Sequence, residues 1–265
     1  MRNPAVAGMF YPGTKEALRQ LISELAPRAP PAAKLDAMGV VVPHAGYVYS
    51  GGVAAKVYAS IEGAPTFIIL GPRHSWEGSA VAVSAVPWKT PLGIVDVDHD
   101  FIDLLPPGII DHDETAHQRE HSLEVQVPFL QYFFKDFRIV PIAIGLQDYE
   151  TVKEIAGEIT AAIEKYPTKV VIVASSDFTH YEPVESAKRK DHLLIEKIEK
   201  LDVPGFYDEI ASLNATCCGY GPISAMMLSC KRRGAKKAEL LAYATSGDVT
   251  GDREVVGYAG LAVTR

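Results

Sequence analysis

VVIVA at residues 170–174 runs directly into SSDFTH at residues 175–180, and this stretch decides the fold. A run of apolar, mostly β-branched residues is typical of a strand that is buried on both faces, as in a parallel sheet. Polar residues, among them Asp177 and His180, follow this strand at once. Ligands of open α/β sheets bind beyond the carboxyl ends of the strands. The stretch therefore predicts a covered sheet with a polar site at its edge.

Three other apolar runs also end at a histidine or an aspartate. Residues 40–43 lead into His44, residues 67–70 lead into His74, and residues 240–244 lead into Asp248. If the four strands are parallel neighbours, three histidines and two aspartates meet in one cleft. Any one of these histidines by itself is better explained as a hydrogen-bonded surface residue, and only the repetition favours a site. No comparable context surrounds His99, His112 or His192.

Strand-like and helix-like segments alternate along most of the chain, which predicts an α/β fold. The predicted strands cover residues 38–43, 65–70, 79–84, 137–144, 169–174, 239–244 and 255–263. The predicted helices cover residues 14–26, 50–60, 122–133, 149–164, 184–200, 204–213 and 221–233. A proline-containing linker is predicted at 26–33. We expect a single domain, residues 1–265, with a central mixed sheet flanked by helices.

Composition excludes several classes of protein. The chain has 265 residues, of which 48% are hydrophobic and 22% charged, as in ordinary globular domains, and it lacks a long apolar run. Its net charge of −7 opposes binding to nucleic acid or to anionic membranes. Three cysteines are an odd number and favour reduced thiols over a disulfide framework. The N-terminus resembles no leader peptide, and we expect a cytoplasmic protein.

Histidines with a carboxylate at strand ends are typical of a divalent metal site. Two histidines and one carboxylate with open positions describe a non-haem Fe(II) centre, and zinc accepts the same kinds of ligand. The strand-end pattern therefore predicts a metal without separating iron from zinc.

The segment EHSLE at 120–124 has two interpretations. If Ser122 begins the helix at 122–133, His121 lies at a helix N-terminus, where it could polarise or protonate a ligand. Otherwise the segment merely caps the helix, with Glu124 complementing its dipole. Pro128 is expected to kink or restart this helix.

The same region matches a hydrolase motif. Residues 117–121 formally fit H-x-x-E-H, the pattern of a metalloprotease in which His117 and His121 bind zinc and Glu120 is the general base. That chemistry requires both histidines on one face of a helix. Short motifs recur by chance, so this is the minor alternative.

A set of linked motifs resembles one known family. The motifs are PAVAGMFYP at 4–12, PHAGY at 43–47, SG at 50–51, GPRH at 71–74, EHSLE at 120–124, SSDFTHY at 175–181, CG at 218–219 with PI at 222–223, YATSGD at 243–248 and GYAG at 257–260. In this order they resemble the MEMO (mediator of cell motility) family, in its prokaryotic form. The resemblance covers the full length of the chain.

The resemblance implies a fold and a set of site residues. The fold is related to that of the class III extradiol non-haem iron dioxygenases. The paired histidine ligands of the family correspond to His44 and His74, while Asp177 and His180 line the same pocket and His121 lies near it. Some members place a cysteine, as a third metal contact, where this chain has Val249. We assign Asp248 as the replacement ligand, with His180 as the other candidate.

These features lead to expectations about function. We expect a metal-binding cleft at His44, His74 and Asp248, with Fe(II) favoured over zinc or copper, and an oxidoreductase or dioxygenase-like activity. Proton movements would fall to His121, His180 and Asp177.

Partners follow from the same resemblance. The alternative to an enzyme is an adaptor whose cleft binds a peptide or phosphate-bearing partner. The resemblance also suggests a radical-SAM protein as partner and allows a homo-oligomer, whereas we expect the ligand of an enzyme to be a small molecule.

Overall fold

A computed structural model describes residues 1–29, 31 and 33–265. Its strands are β1 (Gly39–Val42), β2 (Thr66–Pro72), β3 (Val81–Val83), β4 (Trp88–Thr90), β5 (Gly93–Val95), β6 (Asp111–His112), β7 (Arg138–Ile144), β8 (Val170–Ser175), β9 (Glu182–Pro183), β10 (Lys237–Thr245), β11 (Glu254–Val255) and β12 (Gly257–Thr264). Its α-helices are α1 (Lys15–Leu25), α2 (Tyr47–Ser60), α3 (His99–Ile102), α4 (Val127–Phe133), α5 (Tyr149–Lys165), α6 (Val184–Glu199), α7 (Val203–Leu213), α8 (Tyr220–Arg232) and α9 (Gly247–Thr250).

Eight of these strands form one mixed sheet. Their order is β10-β12-β1-β8-β2-β7-β3-β6, with β1, β8, β2 and β7 parallel to one another. Every residue of β1, β2 and β8 is buried, since helices cover the sheet. The prediction of an α/β fold with a central mixed sheet flanked by helices is confirmed.

Strand direction positions the site. Because β1, β8 and β2 are parallel neighbours, their carboxyl ends reach the same edge of the sheet, directly before His44, Asp177 and His74. Strand β10 is not a neighbour of β1, since β12 lies between them and pairs antiparallel with both. The expectation of four adjacent parallel strands is therefore met by three of them.

The predicted helix at 122–133 is divided. A 3-10 turn at Glu124–Gln126 precedes α4, and Pro128 lies in the first turn of α4, where its missing N–H costs nothing. The restart at Pro128 is confirmed, but Ser122 does not cap the helix. Its hydroxyl donates instead to the carbonyl of Pro72. The loop before α4 is thereby tied to the end of β2.

The structure also contains short elements that the sequence did not predict, such as the β4–β5 hairpin and α9. Their residues show no strong hydrophobic periodicity. The linker predicted at 26–33 lies partly outside the described residues. Among the residues that the structure describes, no helix combines the length and the apolar character needed to cross a bilayer.

Candidate metal centre

Three histidines meet at the carboxyl edge of the sheet. His44, His74 and His121 each offer a ring nitrogen that lies within 4.8 Å of those of the other two. The rings of His74 and His121 are stacked, with 4.6 Å between their centroids and an angle of 26° between their planes. The ring of His44 lies nearly perpendicular to both. Within the described part of the chain, no other group of three metal-binding side chains is this compact.

The tautomer of His44 is set by a buried serine. Its Nδ1 lies 3.0 Å from Ser175 Oγ, and the Ser175 hydroxyl donates its one hydrogen to the carbonyl of Ser122 at 2.6 Å. The Gln126 amide also donates to Ser175 Oγ, at 2.8 Å. The hydroxyl can therefore only accept from His44, so Nδ1 carries the proton and Nε2 keeps its lone pair. Burial, reinforced by the nearby histidines, holds the pKa of His44 well below its ordinary value.

Glu120 contacts His74 at both its backbone and its ring. Oε1 lies 3.0 Å from His74 Nδ1, while Oε2 accepts from the backbone N–H of His74 at 2.5 Å. Burial by itself would raise the pKa of Glu120, but the hydrogen bonds from His74 and Ser122 outweigh it and lower this pKa to about 2. The carboxylate is thus ionised and accepts the Nδ1 proton, which leaves Nε2 of His74 as the free donor.

His121 lies between the N-terminal segment and the other two histidines. Phe10 packs on its ring with 4.8 Å between centroids, and Glu120 Oε1 is 3.6 Å from its Nδ1. Burial is the main cause of its lowered pKa. At neutral pH the rings of His44 and His121 are therefore uncharged, as metal binding requires.

Asp177 and His180 lie in the same cleft, beside the three histidines. Asp177 Oδ1 accepts from the backbone N–H groups of His44 and Ala45, and burial raises its pKa to about 6. His180 Nδ1 donates to the carbonyl of Thr216 at 2.8 Å, so its Nε2 can accept a proton.

Asp248 is not brought to this group. Its Oδ2 accepts from the backbone N–H of Thr245 at 2.7 Å and from the Thr245 hydroxyl at 3.1 Å, which fixes the carboxylate at the start of α9. Asp248 does not line the cleft, and the neighbouring Val249 side chain is 54% exposed. The compact group of possible ligands thus contains His121 where we expected Asp248.

The hydrolase motif fails for a geometric reason. Residues 115–117 form a 3-10 turn, and no helix continues to His121. His117 is fully buried against Trp88, with its Nε2 donating to the carbonyl of Ala82 at 3.1 Å. His117 and His121 therefore do not share a helical face, and the inverzincin interpretation is wrong.

The cleft has a volume of about 930 Å³. Its lining residues include His44, His74, His121, Asp177 and His180, together with Phe10, Tyr49, Tyr181, Arg253 and Tyr258. Three imidazoles that face one another match the ligand preferences of iron, copper and zinc. The donor set thus fits the divalent metal that the sequence suggested.

Sequence reasoning missed the residues that support the histidines. Ser175 looked like an ordinary strand end, and Glu120 was considered only as a protease base. Phe10 belongs to an N-terminal segment that Glu124 anchors, through an ion pair with Arg2 and hydrogen bonds from the N–H groups of Ala5 and Val6. Local sequence carries no signal for such contacts, because their partners are more than 40 residues apart.

Known proteins resemble this chain in architecture and in sequence. A solved structure of an uncharacterized protein from Escherichia coli K12 aligns with a TM-score of 0.58 at 13% identity, covering 84% of this chain and 98% of that one, which shows the fold alone. A MEMO1 family protein of Methanosarcina barkeri is 50% identical over 99% of this chain and 100% of its own length. Another, from Archaeoglobus fulgidus, is 49% identical over 98% of both chains.

The description "Memo-like protein" belongs to a family model that matches residues 2–262. With that match and these relatives, the chain belongs to the Memo-like protein family.

Proposed function

We propose that this protein binds a divalent transition metal through His44, His74 and His121 and uses it in oxidoreductase chemistry on a small organic substrate. The observation that carries the proposal is the convergence of three imidazoles whose donor atoms lie within 4.8 Å of one another. Three protein ligands leave positions free for substrate, as in catalytic sites and unlike closed structural ones.

Fe(II) is the ion to test first, because the resemblance implies a fold of the extradiol dioxygenase type. Zinc and copper suit the same imidazole donors. When bound, the ion would supply a Lewis-acid and redox centre with free coordination positions.

The surrounding side chains suit a flat, oxygen-rich molecule. Phe10, Tyr49 and Tyr258 provide aromatic surface around the histidines. His180 is available to take a proton from a substrate hydroxyl, since its Nδ1 proton is held by Thr216. Asp177 fixes the backbone of His44 and so keeps that ring in place. A catechol or an enol is therefore the substrate class that the cleft favours.

Metal content tests the proposal. The protein is purified without oxygen, loaded with Fe(II) and compared with His44→Ala, His74→Ala and His121→Ala. We expect about one ion per chain in the unmodified protein and a large loss in each variant. His117→Ala and Asp248→Ala are matched controls that should retain the ion. An unmodified protein that binds no metal, or histidine variants that keep it, would contradict the assignment.

Oxygen uptake with catechols then tests the redox role. Uptake by the Fe(II)-loaded protein that is lost in His180→Gln, with metal retained, would support it. A loaded protein that consumes no oxygen with any catechol would favour the second candidate.

The second candidate is a binding module that receives a peptide in the cleft. Exposed apolar side chains favour it, because Met9 and Tyr181 line the cleft and are each 78% exposed. Tyr181 also has a φ of 54°, a conformation that costs energy for a residue with a side chain. An adaptor should keep its partner when His44 and His74 are replaced, whereas a metal enzyme should lose its activity.

A further inference from the structure

We propose that Glu120 is a positioning residue that orients two of the three candidate ligands, His74 and His121, through a single buried carboxylate. This inference rests on the proposed metal site and adds a residue that the sequence had suggested only as a protease base. It concerns how the site is built, since Glu120 does not itself join the three histidines as a ligand.

The carboxylate of Glu120 is enclosed and well satisfied. The residue is 0% exposed. Oε2 accepts from the His74 N–H at 2.5 Å, and Oε1 accepts from the Ser122 N–H at 2.7 Å. These backbone bonds hold the carboxylate at the junction between the end of β2 and the loop that carries His121.

From this position, one oxygen faces two imidazoles. Oε1 is 3.0 Å from Nδ1 of His74 and 3.6 Å from Nδ1 of His121. The two rings stack at 26° with 4.6 Å between centroids. His74 donates its Nδ1 proton to Oε1, which leaves its Nε2 as the donor for a metal, whereas the 3.6 Å contact with His121 is electrostatic.

A carboxylate behind a metal-binding histidine has a known physical effect. It fixes the tautomer and orientation of the ring and makes the ligand more basic, and its loss typically lowers metal affinity by about 10- to 100-fold. At His44 the corresponding Nδ1 donates to the neutral Ser175 hydroxyl, and the Asp177 carboxylate lies 3.9 Å from Nε2 on the other side of the ring. Among the hydrogen bonds to Nδ1 of these rings, the one that His74 makes to Glu120 is therefore the one to a negative charge.

Glu120→Gln is the test variant. It keeps the size of the side chain but replaces one carboxylate oxygen by an NH₂ group. In either orientation of the amide, this NH₂ group faces an N–H group of His74 or Ser122 that needs an acceptor. Glu158→Gln is the matched control. Glu158 lies in α5 and is also buried, but its carboxylate accepts from the backbone N–H groups of Ile109 and Ile110 and does not line the cleft.

Two measurements are made on each protein. The first is Zn(II) affinity, determined by competition with a chromophoric chelator. We expect Glu120→Gln to bind Zn(II) at least tenfold more weakly than the unmodified protein, with Glu158→Gln within about threefold. The second is the ¹⁵N NMR spectrum of the imidazole groups without metal. We expect His74 to be protonated at Nδ1 in the unmodified protein and to lose this single tautomer in Glu120→Gln.

The outcomes separate this inference from the proposed function. If Zn(II) binds, and is lost in His44→Ala, but Glu120→Gln keeps its affinity and its His74 tautomer, the role of Glu120 is refuted while the metal site stands. If the unmodified protein binds neither Zn(II) nor Fe(II), the metal site is refuted and this inference with it. Equal loss of affinity in Glu158→Gln would show a general effect of replacing a buried carboxylate and would also overturn the proposal.

Should Glu120→Gln fail to fold, Glu120→Asp keeps the charge but shortens its reach. The proposal then predicts weakened Zn(II) binding with the His74 tautomer disturbed. Unchanged affinity and tautomer in that variant would refute it.

Discussion

Ser175 Oγ and His44 Nδ1 lie 3.0 Å apart, and the only direction open to this hydrogen bond is from the histidine to the serine. A neutral hydroxyl at the end of β8 thereby decides which nitrogen of a residue at the end of β1 faces the cleft. The two residues are 131 positions apart in sequence.

Replacing this serine should weaken the metal site without removing a ligand. In Ser175→Ala, His44 loses the acceptor that fixes its tautomer, and we expect about tenfold weaker Zn(II) binding by competition titration. Ser229→Ala is the control, because Ser229 is equally buried but bonds to Thr160 and Ala156, far from the histidines in the fold. Unchanged affinity in Ser175→Ala would show that the serine does not set the tautomer.

Glu120 should make stability fall in acid. Its pKa is about 2 in the folded protein against an ordinary value of 4.5, so the stabilisation is present above pH 4.5 and is lost as the pH falls toward 2. The shift corresponds to at most about 3 kcal/mol. Urea unfolding at several pH values between 5 and 2 should show a steeper loss in the unmodified protein than in Glu120→Gln. Parallel curves for the two proteins would contradict this prediction.

Asp177 should have the opposite effect on stability. Burial raises its pKa from 3.8 to about 6, so ionisation in the folded state costs free energy as the pH rises from about 4 through 6. Asp177→Asn keeps an oxygen for the N–H groups of His44 and Ala45 but removes the charge. We expect this variant to equal or exceed the unmodified protein in free energy of unfolding at pH 8, by up to about 3 kcal/mol. A clearly less stable variant at pH 8 would refute it.

Gly71 should not tolerate a side chain. A Cβ there would overlap Ser122 Oγ and lie 2.8 Å from Leu123 Cδ1, so Gly71→Ala must displace the loop that holds Glu120 and His121. We expect a loss of about 1–3 kcal/mol in urea unfolding, together with weaker metal binding. Gly52→Ala in α2 is the control, since no atom lies within 4 Å of its added Cβ and alanine favours a helix. Equal free energies of unfolding for Gly71→Ala and Gly52→Ala would contradict the close approach of Ser122 and Leu123 to Gly71.

The three thiols should react slowly in the folded protein. Burial raises the pKa of Cys217 and Cys230 to about 12 and that of Cys218 well above its ordinary value. Since the thiolate is the reactive form, iodoacetamide at about pH 7.5 should label the native protein far more slowly than the urea-unfolded chain. Fast labelling of a single cysteine, located by mass spectrometry, would show that its surroundings favour the thiolate.

The sequence by itself determined the α/β fold, because runs of β-branched residues and amphipathic segments are local patterns with distinct periods. It also placed His44, His74, Asp177 and His180 at strand ends. Since parallel strands end at one edge of a sheet, that placement was enough to bring those four side chains to one cleft.

Only the tertiary structure decided which side chains complete and support the cluster. Asp248 follows a strand end as His44 does, but a local hydrogen bond to Thr245 holds its carboxylate away from the cleft. His121 lies in a loop with no periodic signal, and its position depends on Glu120, Phe10 and the end of β2. Contacts between segments distant in sequence fix such a side chain, and no local pattern encodes them.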